Sequence, residues 1–148
     1  MKAVRQFSVS LVNKPGILAN LCKALADEKV NILALTIADS AELGTMRFIV
    51  DKPDVAKSIL SKFDVPITVT EVIWLELPNR PGVMANLAEK LGRAHININY
   101  AYTAPSGAGG KAVAIIKVQY PEKAMKVLSE AERRSDRFSP VRENYRSF

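Results

Sequence analysis

Residues 13–32 read "NKPGILANLCKALADEKVNI", and residues 79–98 read "NRPGVMANLAEKLGRAHINI". In register, Asn13, Pro15, Gly16, Ala19, Asn20, Leu21, Leu25, Asn31 and Ile32 recur as Asn79, Pro81, Gly82, Ala85, Asn86, Leu87, Leu91, Asn97 and Ile98. A period this long suits two small domains better than a solenoid. The expected units are residues 1–70 and 71–148. Domains this small bury little core by themselves, so the halves are expected to pack on each other or on a second chain.

Working outward from the first copy, "AVRQFSVSLV" at 3–12 alternates Phe7, Val9 and Leu11 on one side, the period of a half-buried strand. After Pro15 the period lengthens: Leu18, Leu21, Cys22 and Leu25 define one face of a helix. Strands follow at 30–38 and in "TMRFIV" at 45–50, separated by the turn-rich "DSAELG". Pro53 opens a helix with Val55, Ile59 and Leu60 expected inward, and 65–72 reads as a fourth strand. The second half repeats the order, with Met84, Leu87, Ala88 and Leu91 expected on the buried helix face and a weak final strand near 140–148. From Val65 to Leu77 the chain is nearly continuous strand, which argues against a free linker. The fold class is α+β: two βαββαβ units side by side, each with helices on one face of an antiparallel sheet. The opposite face then needs a use or a partner.

Composition narrows the function. An apolar fraction of 48% indicates a folded chain. The single Cys22 excludes an intrachain disulfide and a multi-cysteine zinc site, and points to a reducing compartment. "FSVSLV" is too short for a signal peptide and no stretch is apolar enough to span a membrane, so a soluble cytoplasmic protein is expected. The net charge of +6 is diffuse, and even "ERRSDRF" at 132–138 interleaves acids with bases, which disfavours nucleic acid as a partner.

The repeated Asn-x-Pro-Gly closes a strand and opens a helix. Pro presets a helical first turn, and Gly, lacking Cβ, lets another molecule approach the main chain. The first turn of a helix leaves backbone N–H groups unpartnered, which together with the helix dipole favours a carboxylate. Lys14 and Arg80 add a cation at equivalent places. Each copy alone also reads as ordinary turn chemistry, with Asn13 or Asn79 as a helix cap. The occurrence of the whole pattern twice favours a ligand.

Both stretches resemble the opening of ACT domains, small ferredoxin-like βαββαβ modules that sense amino acids and related metabolites, and the resemblance covers nearly the whole chain as a tandem pair. It implies a ligand held between two units, by the strand–helix loop of one and the start of the second strand of the other. Carried onto this chain, one pocket would join Asn13, Lys14, Pro15, Gly16, Ile17 and Leu18 to Asn97, Ile98, Asn99 and Tyr100. The other would join Asn79, Arg80, Pro81, Gly82, Val83 and Met84 to Asn31, Ile32, Leu33 and Ala34. Asn stands at 13 and 79 where many members carry Asp, which removes one anionic partner for a ligand's amino group.

Other features carry less. "APSGAGGK" at 104–111 lacks the first Gly and the Ser/Thr of a phosphate loop and reads as a hairpin loop. His95 corresponds to Lys29 and reads as a helix-end cation; Cys22 reads as a buried, inert thiol. Trp74 is expected on a sheet face used for packing, and Tyr100 and Tyr102 share one strand face. With no catalytic constellation, metal cluster or cofactor loop, no enzyme, metal or cofactor is expected. The leading function is a non-catalytic amino-acid sensor, acting alone, as a homodimer, or with an enzyme subunit. One alternative is a regulatory small subunit such as that of acetolactate synthase, whose opening the first repeat also resembles. The other is an RNA-binding ferredoxin-like domain, for which "TMRFIV" and "KAVAIIKV" lack the aromatic spacing.

Overall fold

The computed structural model describes residues 1–12, 14–38, 43–106 and 109–136, with side chains as far as 130. The elements run β1 (Lys2–Val12), α1 (Ile17–Asp27), β2 (Ile32–Ala38), β3 (Leu43–Val50), α2 (Pro53–Leu60), β4 (Ile67–Pro78), α3 (Val83–Arg93), β5 (Ile98–Pro105), β6 (Lys111–Val118) and α4 (Pro121–Asp136). The expected strand at 140–148 lies outside the described residues, as do 39–42 of the first hairpin and 107–108 of the second.

The strands form one antiparallel sheet in the order β2-β3-β1-β4-β6-β5. Its spine is β4: residues 67–74 pair with β1, and 73–78 pair with β6. One strand thus closes the first repeat and opens the second, and the expected 70/71 boundary falls inside it. The β-branched run "ITVTEVIW" favours this uninterrupted extension.

Alternation along the strands sorts the side chains. Phe7, Val9 and Leu11 meet Leu21 and Leu25 of α1 and Ile59 and Leu60 of α2 in one core. Ile73 and Leu75 meet Leu87 and Leu91 of α3 and Leu128 of α4 in a second. Phe7 lies opposite Val69, so Phe7, Val69 and Ile73 share one sheet face, and α1, α2, α3 and α4 pack on it. The other face packs on itself: Ala34 and Ile49 of the first repeat meet Ala104, Val113 and Ile115 of the second across Val72. To achieve this the sheet curls until β2 and β5, the two ends of the order, touch. The face that needed a partner finds it within the chain.

Helix phase differs from the sequence expectation at three residues. Val55 is 39% exposed while Ala56 is buried, because the face set by Ile59 and Leu60 runs back through Ala56. Met84 is 40% exposed and Ala88 is exposed; α3 buries Leu87 and Leu91, with half-buried Val83 one turn earlier on the same line.

Candidate functional site

The Pro-Gly pairs lie just outside the helices rather than in their first turns. Gly16 has φ 89° and ψ −18°, and Gly82 has φ 84° and ψ −15°. With Pro in front, these are the central angles of a type II turn, closed in the first repeat by Ile17 N–H donating to the Lys14 carbonyl at 3.5 Å. A Cβ at either glycine would meet nothing within 4 Å, so the requirement is the left-handed backbone and not the space. This corrects the reading of Pro15 and Pro81 as first-turn residues. Each glycine is also the N-cap, its carbonyl taking the N–H of Asn20 or Asn86 at 2.9 Å. Neither helix has a side-chain cap or an acid in its first turn, so Asn79 does not cap α3. Asn13 lies outside the described residues.

A cavity borders each turn. The first, about 140 Å³, is lined by Leu11, Val12, Lys14, Ile17, Leu18, Ile37 and Gly44. The second, about 270 Å³, is lined by Leu75, Leu77, Pro78, Arg80, Val83, Asn86, Leu87, Lys90 and Leu128. Four lining positions coincide between repeats: Leu11 with Leu77, Val12 with Pro78, Lys14 with Arg80, and Ile17 with Val83. In both, a cation stands beside an uncapped helix N-terminus over an apolar floor.

The second-strand starts lie elsewhere. Tyr100 touches Gln6, and Gln6 lies six strand positions before Val12 at the first turn, about 20 Å of extended chain. Leu33 shares a cavity with Trp74, four strand residues short of Pro78 at the second turn, about 13 Å. One chain therefore brings Asn31–Ala34 and Asn97–Tyr100 to the middle of the molecule and the two turns to its opposite ends. Both starts carry a bulge, between Ile32 and Ala34 and between Ile98 and Tyr100. The bulge resets the alternation, so that Ala34 and Tyr100 turn into the sheet interface while Leu33 and Asn99 are exposed. Asn31 and Asn97 are exposed, and Asn31 N–H donates to Asp51 Oδ1 at 2.9 Å.

Sequence reading missed Gln6. Alternation along β1 puts it on the side away from Phe7, Val9 and Leu11, with Ser8 and Ser10, yet it is fully buried. Its Nε2 donates to the Tyr100 hydroxyl at 2.6 Å, and the Tyr102 hydroxyl donates to its Oε1 at 2.9 Å. Arg47 stacks over the Tyr100 ring at 4.3 Å. Burial pushes the Tyr102 hydroxyl well above the ordinary tyrosine range; Tyr100 pushes the same way and Arg47 opposes. Two tyrosines on one strand face, each needing a partner for its ring tip, were the available signal. Trp74 packs beside this interface, as expected.

The remaining candidates are structural. Lys29 (φ 55°) and His95 (φ 54°) are the left-handed residues after α1 and α3. Val30 N–H returns to Leu25 and Lys29 N–H to Ala26, matched by Ile96 to Leu91 and His95 to Gly92, two Schellman motifs. Half-buried Cys22 has its thiol pushed up by desolvation. No group of metal-ligating side chains occurs among the described residues, and no helix there is long and apolar enough to cross a membrane.

Comparison with known proteins agrees with this architecture. The solved structure of protein BT0572 from Bacteroides thetaiotaomicron superposes with a TM-score of 0.81 at 32% identity, over 88% of this chain and 89% of that one. The regulatory subunit of aspartate kinase from Thermus thermophilus matches with a TM-score of 0.63 at 17% identity, over 88% and 97%. Aspartate kinase from Synechocystis matches with a TM-score of 0.57 at 20% identity, over 87% of this chain and 26% of that one. No curated protein matches. The family model of the ACT domain pair covers residues 2–135, and with two ferredoxin-like repeats sharing one curled sheet, the chain belongs to the ACT family as an ACT domain pair.

Proposed function

We propose that this ACT domain pair is a non-catalytic sensor of an amino acid or a closely related metabolite, taken up at the Pro-Gly turns, and that it regulates amino-acid metabolism. One observation carries the reading: the same uncapped helix N-terminus, with Lys14 or Arg80 beside it, is built twice over a cavity. Free N–H donors, the helix dipole and a cation together favour a carboxylate, by about 0.3–2 kcal/mol for the dipole alone. The likeness to regulatory subunits of aspartate kinase supports a regulatory role, with an enzyme subunit as partner. The units are taken as 1–70 and 71–148, and the lone Cys22 suits the reducing cytoplasm.

A ligand that also meets a second-strand start needs that strand from a second copy, because within one chain the turns and the starts lie far apart. The working unit under this reading is a homodimer. The test is a thermal-shift screen of the twenty amino acids: a ligand present at 100 times its dissociation constant should add about 2.7 kcal/mol of stability. The ligand selected should bind Gly16→Ala and Gly82→Ala more weakly than the parent. Undiminished binding by the double variant would remove the turns as the site.

A further inference from the structure

Toward its N-terminus β1 stays paired with β4 down to Lys2, but its pairing with β3 ends at Phe7 opposite Phe48. The strands splay, and a cavity of about 270 Å³ opens there, lined among others by Lys2, Arg5, Leu33, Ile49, Asp51 and Trp74. The second repeat splays at the matching place, where β4 leaves β6 beyond Ile73 opposite Ile116. There Lys117 Nζ donates to the Glu71 carbonyl at 3.4 Å, beside a cavity of about 630 Å³ lined by Glu71, Gln119 and Pro121 among others.

Arg5 lies directly opposite Glu71 in the β1–β4 ladder. Members of an antiparallel pair either bond each other or both turn outward. Since Glu71 turns its carbonyl out to Lys117, Arg5 turns its own out the other way, into the cavity. The residue matching Lys117 is Ile49, because Ile49 lies opposite Ala34 as Lys117 lies opposite Tyr100. One carbonyl therefore receives an ammonium from the protein, while the position matching that ammonium's residue in the other repeat is held by the buried apolar Ile49.

We propose that the cavity between β1 and β3 binds a free amino acid with an apolar side chain, its ammonium standing at the Arg5 carbonyl where Lys117 Nζ stands in the other repeat. Asp51, whose Oδ1 is held by Asn31 N–H at 2.9 Å, supplies the opposing charge. Lys2 Nζ, 5.8 Å from the Trp74 ring centroid, meets the ligand carboxylate on the other wall. Trp74 and Leu33 take the side chain. This site shares no lining residue with the turn cavities and does not depend on them.

Trp74 is the chain's single tryptophan, so its fluorescence reports this cavity. The full chain is titrated with L-valine, L-leucine, L-methionine and L-phenylalanine, and with 4-methylpentanoate, which has the leucine skeleton without the ammonium. At least one amino acid should give a saturable change, and loss of the charge-assisted contact should weaken 4-methylpentanoate relative to L-leucine, and Asp51→Asn relative to the parent, by about tenfold or more. Asn at 51 retains an acceptor for Asn31 N–H. Ile49→Lys, which installs the internal ammonium, should abolish the response; should it not fold, Asp51→Asn decides. The Gly16→Ala, Gly82→Ala double variant should respond like the parent. A flat titration with all four amino acids, equal affinity for 4-methylpentanoate and L-leucine, or a response that survives Asp51→Asn unchanged overturns the proposal.

Discussion

The two repeats share their backbone irregularities and differ in what fills the space behind them. Both place a left-handed glycine before the first helix, at Gly16 and Gly82, and a left-handed polar residue after it, at Lys29 and His95. Both bulge at the start of the second strand. Behind these features the contents diverge. Buried Gln6 and half-buried Tyr100 and Tyr102 form a hydrogen-bonded group, whereas the matching positions are Val72, Ala34 and Thr36. On the edge strands, Leu35 and Ile37 of β2 are exposed apolar residues, while Ala101 and Thr103 occupy their places on β5. The lesson is that a short motif dictates backbone geometry wherever it occurs. The sheet face is filled according to what lies across from it, and the two halves face each other, not themselves.

The largest expected effect breaks that asymmetry at Gln6. Gln6→Leu leaves the half-buried Tyr102 hydroxyl without its acceptor and should destabilise by about 2 kcal/mol in urea denaturation. Adding Tyr102→Phe should recover part of the loss, giving a coupling of about 0.5–3 kcal/mol in the double-mutant cycle. Simple additivity would mean that the network does not act as a unit.

Next come the glycines, where the repeats should behave alike. Gly16→Ala and Gly82→Ala should each cost about 1–2 kcal/mol, since both require the left-handed region and neither Cβ would clash. A marked difference between the two would show that the turns are not equivalent.

A pH titration sharpens the network comparison. The folded-state pKa of Tyr102 is raised, so its contribution is fully present below the unfolded tyrosine value of about 10 and is lost as pH rises above it. Stability measured through that alkaline range should therefore fall less steeply for Tyr102→Phe than for the parent. Smallest of all, Lys29→Gly and His95→Gly should each stabilise by about 0.5 kcal/mol, relieving a left-handed non-glycine residue at the helix end. Thermal melts would check both.

By itself the sequence determined the repeat, the order of strands and helices, the unbroken strand between the units and the turns with their paired cations. These follow from periodicity and from Pro and Gly, whose backbone preferences act within a few residues. Helix phase was less legible: Val55 and Met84 read as inward because an apolar residue can sit on the flank of a helix face as easily as at its centre. Tertiary structure alone decided that the sheet curls, that Gln6 is buried, and that the turns and second-strand starts of one chain stand apart. Which strand face lies across from which is set by the twist and closure of the whole sheet. Alternation along one strand tells the two faces apart, but it cannot tell which of them meets water.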